Sequence, residues 1–239
     1  MGAISEFFGN LFILVKAATF KPLESDAKMS VGLMVQNNAA AFPDDYALIC
    51  EDEYVTWKEL NERSNRVANF LKSNGIGNGD CVSLVMQNRI EFLVTLIGIV
   101  KIGAIAGLVN TNLSRIPLVH CINLIESKKC ILGEEQMESL GEVIDELSLT
   151  AGKDYLFVKD TGSSPCPTWA QLLDSCDSSI DCSDPPESAQ ISCSETAYYV
   201  FTSGTTGLPK AAIVSKRCWS VIIRMILGRS TDTTGSPVG

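Results

Sequence analysis

The segment Tyr199-Val200-Phe201-Thr202-Ser203-Gly204-Thr205-Thr206-Gly207-Leu208-Pro209-Lys210 limits what this chain can fold into more than any other stretch. Residues 197–201 are apolar and aromatic enough for a buried strand, and residues 211–214 read as a second. The turn between them gathers hydroxyls, glycines and a single lysine. Gly204 and Gly207 allow positive φ and let backbone N–H groups approach an anion, while Thr202, Ser203, Thr205 and Thr206 add hydroxyl donors and Lys210 a point charge. The pattern predicts a phosphate-holding loop between two strands.

A Walker-type loop has four residues between its glycines, then Gly-Lys-Ser/Thr, and runs from a strand into a helix. Here the glycines are three apart and Leu208-Pro209 precedes Lys210, so the grip is of a different kind. The plain alternative is a solvent-exposed Ser/Thr/Gly turn that contains a lysine. The flanking strands and the Pro-Lys pair favour phosphate.

At these residues the chain resembles the adenylate-forming enzymes: acyl-CoA synthetases, firefly luciferase and peptide-synthetase adenylation domains. Their signature loop reads Thr-Ser-Gly-Thr-Thr-Gly-x-Pro-Lys, and every fixed position is met by Thr202, Ser203, Gly204, Thr205, Thr206, Gly207, Pro209 and Lys210, with Leu208 at the free one. Asn110-Thr111-Asn112-Leu113, followed by Leu118-x-His120-Cys121, resembles the fatty-acid transport protein branch of very-long-chain acyl-CoA synthetases. The resemblance runs from about residue 42 to residue 227.

The resemblance implies an α/β fold of mostly parallel sheets flanked by helices, forming an incomplete amino-terminal part of the family's large domain. It also implies ATP, Mg2+ and coenzyme A as co-substrates and a long-chain fatty acid as the acid. The carboxylate attacks the α-phosphorus to give acyl-AMP and pyrophosphate, and coenzyme A thiol then displaces AMP. The loop would hold the departing β and γ phosphates. The family's downstream Mg2+-binding acid, adenine site, ribose aspartate and mobile carboxy-terminal lysine are not met by any motif here, so no catalytic residue is expected within the chain and little ligase activity from it alone. Two other readings stay open: a non-catalytic nucleotide- or lipid-surface-binding module, and a membrane protein in which transport dominates.

Of 239 residues, 46% are hydrophobic and the net charge is −9. A core of useful size is therefore expected, and nucleic acid is excluded as a partner because its backbone demands clustered Lys and Arg. Nine cysteines are scattered without a Cys-x-x-Cys pair. They read as free thiols on the reducing, cytoplasmic side of a membrane, with the organelle open. The single histidine, His120, has no second one to join it at a metal and reads as a packed or surface imidazole. No metal site is expected.

Three divisions are expected: an amphipathic helix over 1–22, a truncated adenylation domain over 23–228 and a disordered tail over 229–239. In the first, Ile4, Phe7, Phe8, Leu11, Leu14, Val15 and Ala18 recur at helical spacing, too short an apolar run to span a bilayer. It suits either peripheral membrane contact or packing on the protein's own surface. Thr56-Trp57-Lys58-Glu59 is a capping box opening a helix that Gly75 closes. A strand is expected over 81–86, a buried helix over 90–105, a helix over 118–125 and a strand over 130–132. An acidic helix over 134–147, a strand over 155–158, a short helix from Thr168 to 173 and an exposed acidic connector over 177–195 follow. A last helix is expected over 216–227.

Overall fold

The computed structural model describes residues 28, 30–50, 52–160, 162, 164–202 and 207–216, with the short pairs 230–231 and 237–238. The amphipathic helix expected over 1–22, the helix expected beyond residue 216 and the loop residues Ser203, Gly204, Thr205 and Thr206 lie outside them.

The first helix, α1 (Val31–Ala41), starts where the Ser30 hydroxyl accepts the Leu33 amide at 3.1 Å. A hairpin follows, β1 (Tyr46–Cys50) antiparallel to β2 (Glu53–Thr56). Helix α2 (Trp57–Ser73) opens on the expected capping box: Glu59 N–H donates to Thr56 Oγ1 at 3.2 Å and Thr56 N–H to Glu59 Oε2 at 2.9 Å. Its Trp57, Leu60, Val67 and Leu71 are buried, as their spacing requires.

The remaining elements alternate: β3 (Cys81–Val85), α3 (Ile90–Lys101), β4 (Ile105–Leu108), α4 (Arg115–Leu124), β5 (Lys129–Gly133), α5 (Met137–Gly141), β6 (Tyr155–Val158), β7 (Gln171–Leu172), β8 (Thr196–Thr202) and β9 (Lys210–Ser215). They build one seven-stranded sheet, ordered β7-β6-β5-β3-β4-β8-β9. Every pairing in it is parallel except β8 with β9. Alternate side chains feed opposite faces: Leu156 and Val158 of β6 join the core under α2 and α3, while Tyr155 and Phe157 join the one under α4 and α5. A mostly parallel sheet covered on both sides is the α/β architecture read from the sequence.

Four expectations are corrected. The apolar run 90–105 is not all helix. α3 ends at Lys101, Gly103 has φ 78° where a side chain would collide with Asn78, and Ile105 already belongs to β4.

The acidic stretch 134–147 is broken into a 3-10 turn (Glu134–Gln136), α5 and a second 3-10 turn (Ile144–Glu146). Its leading glutamates are drawn off to the loops beside them: Glu134 accepts the amides of Asp160 and Ser164, and Glu135 that of Gln87. Leu140 and Val143 still face inward.

Residues 168–173 are not a helix. Gln171–Leu172 adds β7 to the open edge of β6, opposite Leu156 and Phe157, because that edge offers unpaired backbone groups.

The connector 177–195 is also more than a solvated strap. Ser188, Ile191 and Cys193 are buried, Pro186–Ala189 forms a 3-10 turn, and Asp184 accepts hydrogen bonds from both Asn61 and Asn65. In the region read as a tail, Ser230–Thr231 pairs antiparallel with Pro237–Val238.

Candidate functional site

Because β3, β4, β5, β6 and β8 run parallel, their carboxyl ends share one edge of the sheet. The chain leaves β3 into α3, whose Val94 and Ile97 pack on one face. It leaves β4 into α4, whose Leu118, Cys121 and Ile122 pack on the other. Connections that diverge to opposite faces open a crevice between β3 and β4, the switch point where ligands of open α/β sheets bind. β8 lies next to β4. The turn after β8 therefore projects from the same edge.

That turn is the Thr202–Lys210 segment. β8 and β9 form an antiparallel hairpin with Phe201 opposite Ala211 and Thr202 opposite Lys210, so the expected strand–loop–strand arrangement is met. Across its base the Thr202 hydroxyl donates to the Lys210 carbonyl at 3.5 Å. Gly207, Leu208 and Lys210 are exposed and Pro209 half-buried. Among the nine expected site residues, the structure brings Thr202 and Lys210 together and sets Gly207, Leu208 and Pro209 on the returning limb; the four between lie outside the described residues.

His120 belongs to this site, which the sequence reading missed. Its Nε2 lies 3.0 Å from the carbonyl oxygen of Pro209. His120 and Lys210 line one open cavity of about 700 Å³, together with Leu124, Tyr199 and Leu208. Burial, and secondarily Cys81, pushes the Tyr199 phenol up, which keeps it neutral and able to donate. The signal available in sequence was His120 within the Leu118-x-His120-Cys121 motif.

At the far end of the hairpin, the buried Lys216 ammonium meets Glu195 Oε2 at 2.9 Å, and Lys216 N–H donates to the Glu195 carbonyl at 2.9 Å. The two ends of β8 and β9 are thus tied by side chain and backbone.

Further along the carboxyl edge, Arg89 follows β3 and its Nη1 lies 2.8 Å from Glu135 after β5 and 3.3 Å from Asp160 after β6. The guanidinium braces the loops that follow three neighbouring strands. Below them, the fully buried Lys101 donates to Asn61 Oδ1 at 2.5 Å and Asn65 Oδ1 at 2.6 Å. Desolvation drops its pKa to about 7, against a smaller opposing pull from Asp184. Asn61, Asn65 and Asn69, four apart on α2, were the sequence signal for this polar spine, since such spacing sets them on one helix face.

Residues 35–232 match the model of the AMP-binding enzyme family. The chain is 28% identical over 211 residues to the medium/long-chain-fatty-acid–CoA ligase FadD6 of Mycobacterium tuberculosis, covering 88% of this chain and 33% of that one. It is 32% identical over 213 residues to long-chain fatty acid transport protein 1 of Mus musculus, covering 87% of this chain and 32% of that one. It therefore spans about a third of the length of these curated relatives.

Among solved structures, the anthranilate CoA ligase AuaEII in complex with anthranoyl-AMP superposes with a TM-score of 0.72 at 22% identity, over 84% of this chain and 37% of that chain. The amino-terminal domain of FACL13 from Mycobacterium tuberculosis gives 0.63 at 22% identity, over 78% of this chain and 44% of its own. At that identity the likeness speaks for the fold.

Proposed function

The chain belongs to the AMP-binding enzyme family, and from that premise we propose that its part is to hold the phosphate tail of ATP for an AMP-forming long- or very-long-chain fatty acid:CoA ligase. The reading is supported above all by one observation: the β8–β9 hairpin, in continuous register from Tyr198 opposite Val214 to Thr202 opposite Lys210, carries its turn at the carboxyl edge beside the crevice.

The residues present suit the group. The exposed Lys210 offers a compact cation, Thr202 a hydroxyl, and Gly207 an exposed backbone at the hairpin tip. On this reading Thr202, Ser203, Gly204, Thr205, Thr206, Gly207, Leu208, Pro209 and Lys210 cradle the β and γ phosphates. ATP, when bound, supplies the α-phosphorus that the fatty carboxylate attacks and the pyrophosphate that leaves. On this reading donors already facing the phosphates when ATP is bound would stabilise charge as it gathers on the leaving group.

Mg2+ would accompany the phosphates and coenzyme A would accept the acyl group. The acyl partner is suggested by the fatty-acid–CoA ligase and fatty acid transport relatives, and the thiol partner by the first of them. Residues 1–22 would give peripheral contact with a membrane on its cytoplasmic side. Little ligase activity is expected from these 239 residues alone.

The test is equilibrium binding of MgATP to the chain and to Lys210→Ala. Losing one charge-assisted contact should weaken binding about tenfold or more. Equal affinity in the two proteins would sink the phosphate reading. ATP–pyrophosphate exchange with a long-chain acid separates holding from ligation: robust exchange by this chain would overturn the expectation of low activity.

A further inference from the structure

We propose that His120 is a positioning residue for the Pro209–Lys210 end of the hairpin, setting the peptide from which the lysine reaches the terminal phosphates of a nucleoside triphosphate. This rests on the phosphate-holding reading above.

The chemistry of the contact is directional. The Pro209 carbonyl can only accept, so the His120 Nε2 at 3.0 Å must carry the proton. A proline has no N–H of its own, so its carbonyl is the handle by which another element can fix that peptide plane. The same peptide unit contributes the nitrogen of Lys210. Fixing its plane fixes the Cα from which a four-carbon side chain with large rotamer freedom extends.

The imidazole has a rigid base. Leu118 and Cys121 are fully buried and Ile122 is 1% exposed, so α4 is seated on the sheet immediately around His120. A second brace acts beyond the peptide: Thr202 Oγ1 donates to the Lys210 carbonyl at 3.5 Å. The backbone of Lys210 is thus contacted on both sides, at the Pro209 carbonyl by a residue 89 positions before that proline and at its own carbonyl by the opposite strand. His120 and Lys210 also line the same cavity, which Glu126 and Tyr199 share. A surface imidazole without a task has no need of that placement.

The experiment measures binding of MgATP and of inorganic pyrophosphate to the full 239-residue chain and to His120→Ala, His120→Gln, His120→Asn and Lys210→Ala, with thermal unfolding recorded for each. The Gln amide nitrogen reaches the position of Nε2, whereas that of Asn stops short of it. Removing one hydrogen bond should weaken both ligands about threefold to tenfold in His120→Ala. His120→Gln should recover most of that loss and His120→Asn should not, at unfolding midpoints shared by the two amides.

Wild-type affinity in His120→Ala, alongside a loss in Lys210→Ala, overturns the proposal and leaves the phosphate reading standing. Identical affinities for wild type and Lys210→Ala overturn both. If His120→Ala fails to fold, the Gln and Asn proteins decide: equal affinities in that pair overturn the positioning role.

Discussion

The Lys101 ammonium, wholly out of solvent, lies 2.6 Å from Asn65 Oδ1, and the amide nitrogen of that asparagine lies 2.8 Å from Asp184 Oδ1. A cation at the end of α3 is thereby linked through α2 to the connector that feeds β8. Asp184→Ala removes the acceptor for both Asn61 and Asn65 and the carboxylate nearest a buried charge. It should destabilise the fold by about 1–3 kcal/mol in urea unfolding.

The same lysine gives a pH signature. Burial lowers its folded pKa from 10.5 to about 7, so between those values the unfolded chain binds more protons than the folded one. Stability should therefore rise as pH increases from 7 toward 10, and below 7 the cost of burying the charge is present in full. Lys216, also lowered by burial, acts in the same direction. Lys101→Met should flatten the rise without abolishing it, and a slope unchanged by the substitution would show that Lys101 does not titrate as its burial requires.

Gly98 in α3 packs directly against Ser64 and Val67 of α2. A Cβ there would come 2.7 Å from Val67 Cβ and 2.9 Å from the Ser64 carbonyl oxygen. Helix propensity favours Gly98→Ala by about 1 kcal/mol, but overpacking costs about 1–3 kcal/mol, so the net change should be destabilising. In a double-mutant cycle with Val67→Ala, the combined loss should be smaller than the sum of the two single losses, because the shortened side chain makes room for the new Cβ. The Ser64 backbone cannot give way, so part of the Gly98→Ala penalty should remain, and strictly additive losses would contradict the geometry.

The elements legible in sequence were those with a local cause: the Thr56 cap, the apolar β3 and β6, and the hydroxyl-rich turn with its two strands. What escaped depended on partners far along the chain. Gln171–Leu172 carries no period of its own and becomes a strand only because β6 offers an edge. The acidic connector looked solvated because its composition is that of a loop, whereas Asp184 is claimed by asparagines more than a hundred residues earlier. His120 was visible as a residue and as part of a motif. Its bond to Pro209 was not, because nothing local to α4 announces it.

Thiol reactivity should sort by burial. Desolvation pushes Cys121 up to about 11 and Cys130 up to about 12, and both are fully buried, so neither offers thiolate or access near neutral pH. Cys176 is exposed. Alkylation at pH 7.5 followed by peptide mass mapping should label Cys176 first among the described cysteines and leave Cys121 and Cys130 untouched until denaturant is added. Early modification of Cys130 would place β5 outside the core.

The far end of the hairpin should respond to acid. Burial alone would raise Glu195, but the Lys216 ammonium and the Ser192 amide outweigh it and hold the carboxyl below its ordinary value. Its contribution is therefore present above the unfolded pKa of 4.5 and is lost as pH falls through the lower folded value. Glu195→Gln keeps an acceptor for Ser192 N–H yet leaves Lys216, 1% exposed, without its counter-charge. Because Glu195 is one-third exposed, solvent screens the pair, and the loss at pH 7 should be about 1 kcal/mol rather than the full cost of breaking a buried pair. The substituted chain should also lose less stability than the parent between pH 5 and 3. Acid titrations of the two proteins that run parallel throughout would mean that the Glu195–Lys216 pair does not anchor β8 to β9.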